Sequence, residues 1–318
     1  METLQLKTLI DLRSPTELKD DPTLMRSEVY GNFSNVVWKE RGRTKDGRVK
    51  ELRPGESPVK SKRPWKRSSS ATNDMEEDTD ETLVGNLLDE EDMLEEEEDQ
   101  EKEDFSSSML ASQLNFEGEQ RQRLFVSIMN EQKYVKGALR QVRKRDVART
   151  VLKSPGSIFS KRVRESCKKP FLDEINTGGL EMLNQVLLRY GAPGIKYALE
   201  VCADESRHPV AFYCTAGKDR TGALAAIILS LCEADVDAIV EDYAMSANVY
   251  SEMADNTAMV GALSQRSLDP KVFLTAPPEV MRDTLKAVRE EYGSVEEYCK
   301  WIGFGKEQQE QLRKALLK

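Results

Sequence analysis

The stretch from Pro209 to Leu231 constrains the fold more than any other part of the chain. It begins with a short apolar run, Val210–Tyr213, which predicts a buried strand. After Cys214, a turn with Gly217 leads into a run rich in Ala, Leu and Ile that predicts a helix from about Thr221. This order forms an anion site, because unpaired backbone N–H groups and the positive end of the helix dipole point at one spot.

Two side chains give this anion site a chemistry. A cysteine at its mouth is expected to have a lowered pKa and to be a thiolate near neutral pH, which applies to Cys214. Arg220, six residues on, offers a planar fork of donors to two phosphate oxygens. The pattern therefore predicts a cysteine-dependent phosphatase loop. The competing interpretation is a small buried cysteine at a strand end with a surface arginine nearby.

Three parts of the sequence resemble one known family. Residues 214–222, CTAGKDRTG, are similar to the signature loop of the protein tyrosine/dual-specificity phosphatase superfamily. Their GKDRTG form resembles the branch typified by secreted mycobacterial and listerial tyrosine phosphatases, which also acts on phosphoinositides. Residues 9–14 (LIDLRS) with Glu17, and residues 241–246 (EDYAMS), are similar to two further motifs of that branch. The resemblance implies an α/β fold with a central, mainly parallel sheet flanked by helices.

The resemblance also implies roles for the loop residues. Cys214 is expected to attack phosphorus in line and form a phosphocysteine. Arg220 and the loop amides are expected to hold the equatorial oxygens and their growing charge. The amides belong to Thr215, Ala216, Gly217, Lys218, Asp219 and Arg220. Thr221, one residue into the helix, is expected to hydrogen-bond the thiolate and help it leave in the second step.

A general acid must protonate the leaving oxygen, and two carboxyl groups are candidates. Asp219 lies inside the loop, and Asp11 lies at the end of a neighbouring predicted strand; Asp219 is favoured. Lys218 is expected to add positive charge to the pocket floor, which suits phosphoinositide head groups as well as phosphotyrosine. The family usually has histidine before the nucleophile, where this chain has Tyr213. Tyr213 therefore predicts a less acidic cysteine, and a Tyr213→His variant is expected to shift the pH–rate profile to lower pH.

Composition limits the alternatives. The chain has one histidine, His208, which disfavours histidine-activated hydrolases and histidine-rich metal sites, so no metal or cofactor is predicted. Five cysteines without a Cys-x-x-Cys pair favour a reducing compartment. No run of eighteen apolar residues and no secretory signal is found in the sequence. We therefore expect an intracellular protein, cytoplasmic first and nuclear as the alternative, with no nucleic-acid partner.

The sequence predicts a catalytic domain in two parts. Its first part is 1–38, and its main part, with C-terminal helices, is 119–318. Residues 39–118 between them are predicted to be a disordered insert. Between Asp74 and Asp104 stand 18 acidic residues against one lysine. This block has a net charge of −17. Because the whole chain has a net charge of −9, the remaining residues together carry +8. Such a run repels itself and cannot bury a core. It is interpreted either as a solvated spacer or as a mimic of an anionic substrate that screens a basic catalytic face.

Periodicity and caps predict the remaining elements. Strands are expected at 4–12 and 35–38, and Ser14, Pro15 and Glu17 predict a capped helix start. Helices are expected at 120–149, 179–190, 194–201, 235–245, 278–292, 294–302 and 306–317. Residues 133–169 carry 13 Lys or Arg and predict a cationic cap that attracts phosphorylated substrates and anionic membranes; an exposed basic helix face is the alternative.

Three functions are consistent with the sequence. The favoured one is a protein tyrosine phosphatase, with dual specificity as an extension. The second is a phosphoinositide phosphatase, supported by Lys218 and the basic residues 133–169. The third is a catalytically weak phosphate-binding module. It is motivated by Tyr213 and by the first predicted strand beginning already at residue 4, because the family places further strands before this motif. The sequence predicts neither the physiological substrate nor the oligomeric state.

Overall fold

The computed structural model describes residues 5–19, 21, 24, 30, 32–40, 47–53, 56–59, 109–110, 121–129, 176, 179–252, 272 and 274–317. The acidic block 74–104, the basic residues 133–169 and most of the predicted insert 39–118 lie outside these ranges. Within the described residues, no helix is long and apolar enough to cross a membrane.

A mixed, mostly parallel sheet forms the centre of the fold. Its strands are β1 (Thr8–Asp11), β2 (Ser34–Glu40), β3 (Gly47–Glu51), β4 (Met109–Leu110), β5 (Gln122–Val126) and β6 (Val210–Tyr213). Their spatial order is β4-β3-β2-β5-β1-β6. Strands β2, β5, β1 and β6 are parallel to one another, and β3 and β4 add an antiparallel edge beside β2. The predicted α/β class with a mainly parallel sheet is confirmed, and β3 and β4 extend the sheet into the range 39–118.

Strand β5 corrects one prediction. Residues 120–149 were expected to be helical, but Gln122–Val126 is a strand between β1 and β2, and residues 130–149 lie outside the described ranges. All five residues of β5 are buried, because a central parallel strand is covered on both faces. Such a strand lacks the apolar–polar alternation that identifies a half-buried strand from sequence. The prediction was therefore wrong for β5.

The predicted helices outside that range are confirmed, with shifts at their ends. They are α1 (Pro15–Lys19), α2 (179–190), α3 (Ala192–Ala203), α4 (Asp219–Leu231), α5 (Val236–Glu252), α6 (Pro278–Tyr292), α7 (Val295–Trp301) and α8 (Lys306–Leu316). Helix α4 is central: Ala223, Leu224, Ile227 and Leu231 are buried in it. Gly222 lets α5 approach, since a Cβ there would lie 2.9 Å from the Tyr243 ring.

The two sides of the sheet are covered differently. The main core holds Ile10 of β1, Leu124 of β5 and the apolar residues of α3, α4 and α6. A smaller cluster on the other side contains Leu18, Leu24, Val37, Leu52 and Phe125. Because β2, β5, β1 and β6 are parallel, their carboxyl ends lie at one end of the sheet. That end is where ligands bind in open α/β sheets.

Candidate active site

The predicted nucleophile Cys214 follows β6 directly, at the carboxyl end of the parallel strands. Strand β6 pairs with β1 so that Tyr213 stands opposite Asp11. The Leu12 N–H donates to the Tyr213 carbonyl at 2.9 Å, which extends the pairing by one residue. Cys214 is buried, with 7% of its surface exposed. Strand pairing therefore fixes the backbone immediately before the thiol.

Residues 214–218 form the loop between β6 and α4. Gly217 has a φ of +66°, and a Cβ there would meet nothing within 4 Å, so backbone conformation rather than space favours glycine. Helix α4 begins at Asp219, and the side chain of its N-cap residue Lys218 makes no capping hydrogen bond. The N–H groups in the first turn of a helix have no acceptor within it and carry the positive end of the dipole. Loop and helix thus supply the backbone of an anion site.

Arg220, in the first turn of α4, is held by the carboxylate of Glu17, which lies in α1. Its Nη1 donates to Glu17 Oε2 and its Nη2 donates to Glu17 Oε1, each at 2.5 Å. Nη1 also lies 3.5 Å from the Leu12 carbonyl oxygen. The Thr215 hydroxyl donates to the same Glu17 carboxylate. One carboxylate therefore fixes both the guanidinium and the start of the loop.

Glu17 is itself positioned by the start of α1. The Ser14 N–H and hydroxyl each donate to Glu17 Oε2 at 2.8 Å, and the Glu17 N–H donates to Ser14 Oγ at 3.3 Å. This is the predicted capping box. Burial raises the pKa of the Glu17 carboxyl, but Arg220 and Thr215 outweigh it and lower that pKa to about 2. Sequence reasoning assigned Glu17 to the cap and missed its contact with Arg220; its place in the LIDLRS…E motif was the available signal.

Lys218 and Asp219 form a close pair at the junction of the loop and α4. Lys218 is completely buried, and its Nζ donates to the Thr275 carbonyl at 2.8 Å and lies 3.4 Å from Asp219 Oδ1. Burial lowers the pKa of Lys218, although Asp219 opposes this shift. Burial also raises the pKa of the Asp219 carboxyl above its ordinary value, against the opposing effect of Lys218. The amino group expected at the pocket floor thus anchors the segment before α6.

The other predicted loop residues differ in exposure and contacts. Thr215 and Gly217 are exposed, and Ala216 is half-buried. The hydroxyl oxygen of Thr221 is buried and has no hydrogen-bond partner among the described residues, so no bond joins it to Cys214. The predicted bond from Thr221 to a thiolate stays a prediction.

Asp11, the second candidate acid, lies in a buried ion cluster. Its Oδ2 accepts from the Tyr213 hydroxyl at 2.6 Å, from Arg13 Nη2 at 2.8 Å and from Arg123 Nη2 at 2.9 Å. Burial raises the pKa of Asp11, but Arg13, Tyr213 and Arg123 together lower it below its ordinary value. An ionised carboxylate has no proton to donate. The roles of Arg123 and Tyr213 here were not predicted from the sequence.

The site combines four chemical elements in one place. It has a thiol, a loop with backbone donors, a guanidinium fixed by a carboxylate, and a carboxyl group whose pKa is raised. Such a set can attack a phosphate ester, bind its oxygens and supply a proton. Among the described residues, no group of three or more His, Cys, Asp or Glu side chains is arranged to hold a metal ion.

Comparison with known proteins identifies relatives of this chain. A family described as the tyrosine phosphatase family matches residues 160–318, which is half of the chain and includes the loop and α4. A tyrosine-protein phosphatase from Nostoc commune is 31% identical over 133 residues. That match covers 40% of this chain and 45% of the relative, so it spans less than half of the relative's length.

Proposed function

Because the chain belongs to the tyrosine phosphatase family, we propose that it hydrolyses phosphotyrosine in proteins through a phosphocysteine intermediate on Cys214. The observation that supports this most is the pairing of Cys214 at the end of β6 with Arg220 in the first turn of α4. The two residues flank one loop, and Glu17 holds the guanidinium beside it. This arrangement suits a nucleophile that attacks a phosphate whose oxygens are bound by the loop.

In the first step, the Cys214 thiolate attacks phosphorus from the side opposite the leaving oxygen. A sulfur–phosphorus bond forms while the bond from phosphorus to the tyrosine oxygen breaks. The loop amides and Arg220 stabilise the charge on the three equatorial oxygens. Nη1 and Nη2 of Arg220 each donate one N–H to Glu17, and Nη1 also contacts the Leu12 carbonyl, so the second N–H of Nη2 is a donor that the guanidinium retains for a phosphate.

Asp219 is the general acid of this proposal. Burial raises its pKa, which favours the protonated carboxyl that a general acid needs, and it lies at the start of α4, one residue before Arg220. Asp11 suits the role less, because its lowered pKa and three donors keep it ionised. Asp219 gives its proton to the leaving tyrosine oxygen, so tyrosine departs neutral.

The second step regenerates the enzyme. Water attacks the phosphocysteine, and the carboxylate of Asp219 now accepts a proton from that water. The phosphorus–sulfur bond breaks and inorganic phosphate is released. The buried, unpaired hydroxyl of Thr221 is available to donate to the departing thiolate of Cys214.

The protein substrate is preferred over a phosphoinositide on one observation. A phosphoinositide pocket needs cations that can reach additional phosphates, and Lys218 was the loop residue expected to supply one. Its amino group is instead completely buried against Thr275 and Asp219. This leaves Arg220 as the loop cation at the bound phosphate, which suits a substrate with a single phosphate.

The test is a substrate panel for the purified chain and for Cys214→Ser. The panel contains a phosphotyrosine peptide, a phosphoserine peptide and phosphoinositides. Turnover of the phosphotyrosine peptide that is lost in Cys214→Ser supports the proposal. Faster turnover of a phosphoinositide contradicts the substrate assignment, and tight binding of phosphopeptide without turnover contradicts catalysis and indicates a binding module.

A further inference from the structure

Arg123 is a charged residue in the middle of the sheet, which is an expensive place for a charge. It lies on β5, has no exposed surface, and its Nη1 donates to the Leu24 carbonyl at 2.9 Å. Its guanidinium stacks on the Tyr30 ring, with 3.7 Å from Cζ to the ring centroid. An apolar residue of similar size would fill the same space without a desolvation cost. The placement of Arg123 therefore calls for an explanation in terms of its contacts.

Those contacts converge on the last residues of β1 and β6. Arg123 Nη2 donates both to the Tyr213 hydroxyl at 2.7 Å and to Asp11 Oδ2 at 2.9 Å. The Tyr213 hydroxyl in turn donates to the same Asp11 oxygen at 2.6 Å. The three side chains form a closed triangle that links β5, β1 and β6. Rotation of the Tyr213 side chain would break two of its three bonds.

The triangle is attached to the strand ends that carry the catalytic groups. Asp11 and Tyr213 are the last residues of β1 and β6, and they stand opposite each other. The next residue after Tyr213 is Cys214. The next residue after Asp11 is Leu12, whose carbonyl lies 3.5 Å from Arg220 Nη1. A fixed triangle therefore restrains the backbone next to both the nucleophile and the phosphate-binding guanidinium.

We propose, on the basis of the function proposed above, that Arg123 and Tyr213 are positioning residues for phosphoryl transfer. Together with Asp11 they hold the end of β6 so that the Cys214 sulfur points at the bound phosphate. The Tyr213 hydroxyl reaches the carboxylate and the guanidinium from the position before the nucleophile. The triangle acts on the orientation of the thiol and has no direct contact with substrate.

The test is Tyr213→Phe in the full chain, with p-nitrophenyl phosphate as substrate. The variant keeps the ring and removes the hydroxyl that closes the triangle. We expect kcat to fall about 10-fold with KM little changed, because supporting contacts that orient a reacting group have effects of this size. Arg123→Lys keeps the charge but loses the planar guanidinium that bonds to both partners. The double variant that combines Tyr213→Phe and Arg123→Lys is expected to have a kcat no lower than that of the slower single variant.

Tyr298→Phe is the matched control. The Tyr298 hydroxyl is also buried and donates a hydrogen bond, to the Leu188 carbonyl at 2.8 Å, in the core of the C-terminal helices. We expect it to lower the melting temperature as much as Tyr213→Phe does while leaving kcat unchanged. A kcat of Tyr213→Phe within about twofold of wild type, with a stability loss like that of Tyr298→Phe, overturns the proposal and shows a merely structural role.

A second measurement separates this proposal from the proposed function. The alkylation rate of Cys214 by iodoacetamide, followed by mass spectrometry of its peptide, reports thiol position and reactivity without turnover. If wild type hydrolyses no phosphate ester, the proposed function fails and alkylation alone decides. A changed alkylation rate in Tyr213→Phe, beside an unchanged rate in Tyr298→Phe, supports positioning; equal rates in all three proteins overturn it.

Discussion

Replacing Glu17 by Gln tests whether the Glu17 carboxylate fixes the Arg220 guanidinium, an arrangement that we call the clamp. Gln keeps the size of the side chain, but it has no charge and one acceptor oxygen instead of two. The two N–H groups of Arg220, the Thr215 hydroxyl and the two donors of Ser14 all bond to the carboxylate in the wild type. In Glu17→Gln, several of these donors lose their acceptor. We therefore expect both lower stability and a guanidinium that is no longer fixed.

The size of the stability effect follows from the pKa of Glu17. Folding lowers this pKa from 4.5 to about 2. At 1.36 kcal/mol for each pKa unit, the folded state prefers the ionised carboxylate by about 3 kcal/mol. Because the folded-state pKa is the lower one, this stabilisation is present above pH 4.5 and is lost as the pH falls towards 2. By pH 3.5 about 1.4 kcal/mol of it is gone.

The assay is urea unfolding of wild type and Glu17→Gln at pH 6.5 and pH 3.5. Gln does not titrate, and other acids titrate in both proteins, so the difference between the proteins isolates Glu17. We expect this difference in the free energy of unfolding to be about 1.4 kcal/mol smaller at pH 3.5. Glu291→Gln is the control, because Glu291 pairs with Arg189 at 3.1 Å on the exposed surface, where ion pairs contribute little.

A kinetic arm completes this test. With the guanidinium released, kcat for a phosphotyrosine peptide is expected to fall about 10- to 100-fold, the range seen when the partner that orients an active-site group is removed. The clamp interpretation is refuted if the stability difference between wild type and Glu17→Gln is the same at both pH values. It is equally refuted if Glu17→Gln and Glu291→Gln have the same kcat.

Three further predictions concern the proton donor and the acidic block. Asp219→Asn should lower kcat for a phosphotyrosine peptide by about 100-fold or more, but lower it much less for an aryl phosphate with an acidic phenol, whose leaving group needs no proton. Wild-type activity should fall as the pH rises through the pKa of Asp219. Lys218→Met removes a cation that lowers this pKa, so the fall in activity should move to higher pH. If the fall occurs at the same pH in both proteins, Asp219 is excluded as the acid. Deleting residues 74–104 should raise activity at low salt if the block screens a basic face, and unchanged kinetics would leave the spacer interpretation.

The loop and its helix were predictable because their signals are local. An apolar run, a glycine in a turn and an Ala-rich helix stand within 23 consecutive residues, 209–231. The structure places β6, the loop and α4 in that order and with nearly the predicted ends. The capping box at Ser14 was equally local and is confirmed. In each case the residues that determine the structure lie within a few positions of one another.

The contacts that orient the site could not be predicted in this way. Glu17 and Arg220 are 203 residues apart, and Arg123 and Tyr213 are 90 apart, so no periodic pattern relates them. Arg123 was also hidden by the wrong assignment of β5, since a charged residue on a predicted amphipathic helix is expected to face solvent. Its burial depends on the strand order, which places β5 between β1 and β2. Parallel pairing between distant segments is the information that the sequence pattern lacks.

The strand order also has a consequence for how this chain tolerates changes in length. The connection from β3 to β4 contains the acidic block, and it leaves and re-enters the sheet at two antiparallel neighbours, with Val49 opposite Met109. These two strands form the edge farthest from β6, which carries Cys214. Insertions and deletions between residues 60 and 108 therefore join the sheet at the edge remote from the nucleophile, which makes this edge the natural place to add a tag or to shorten the chain.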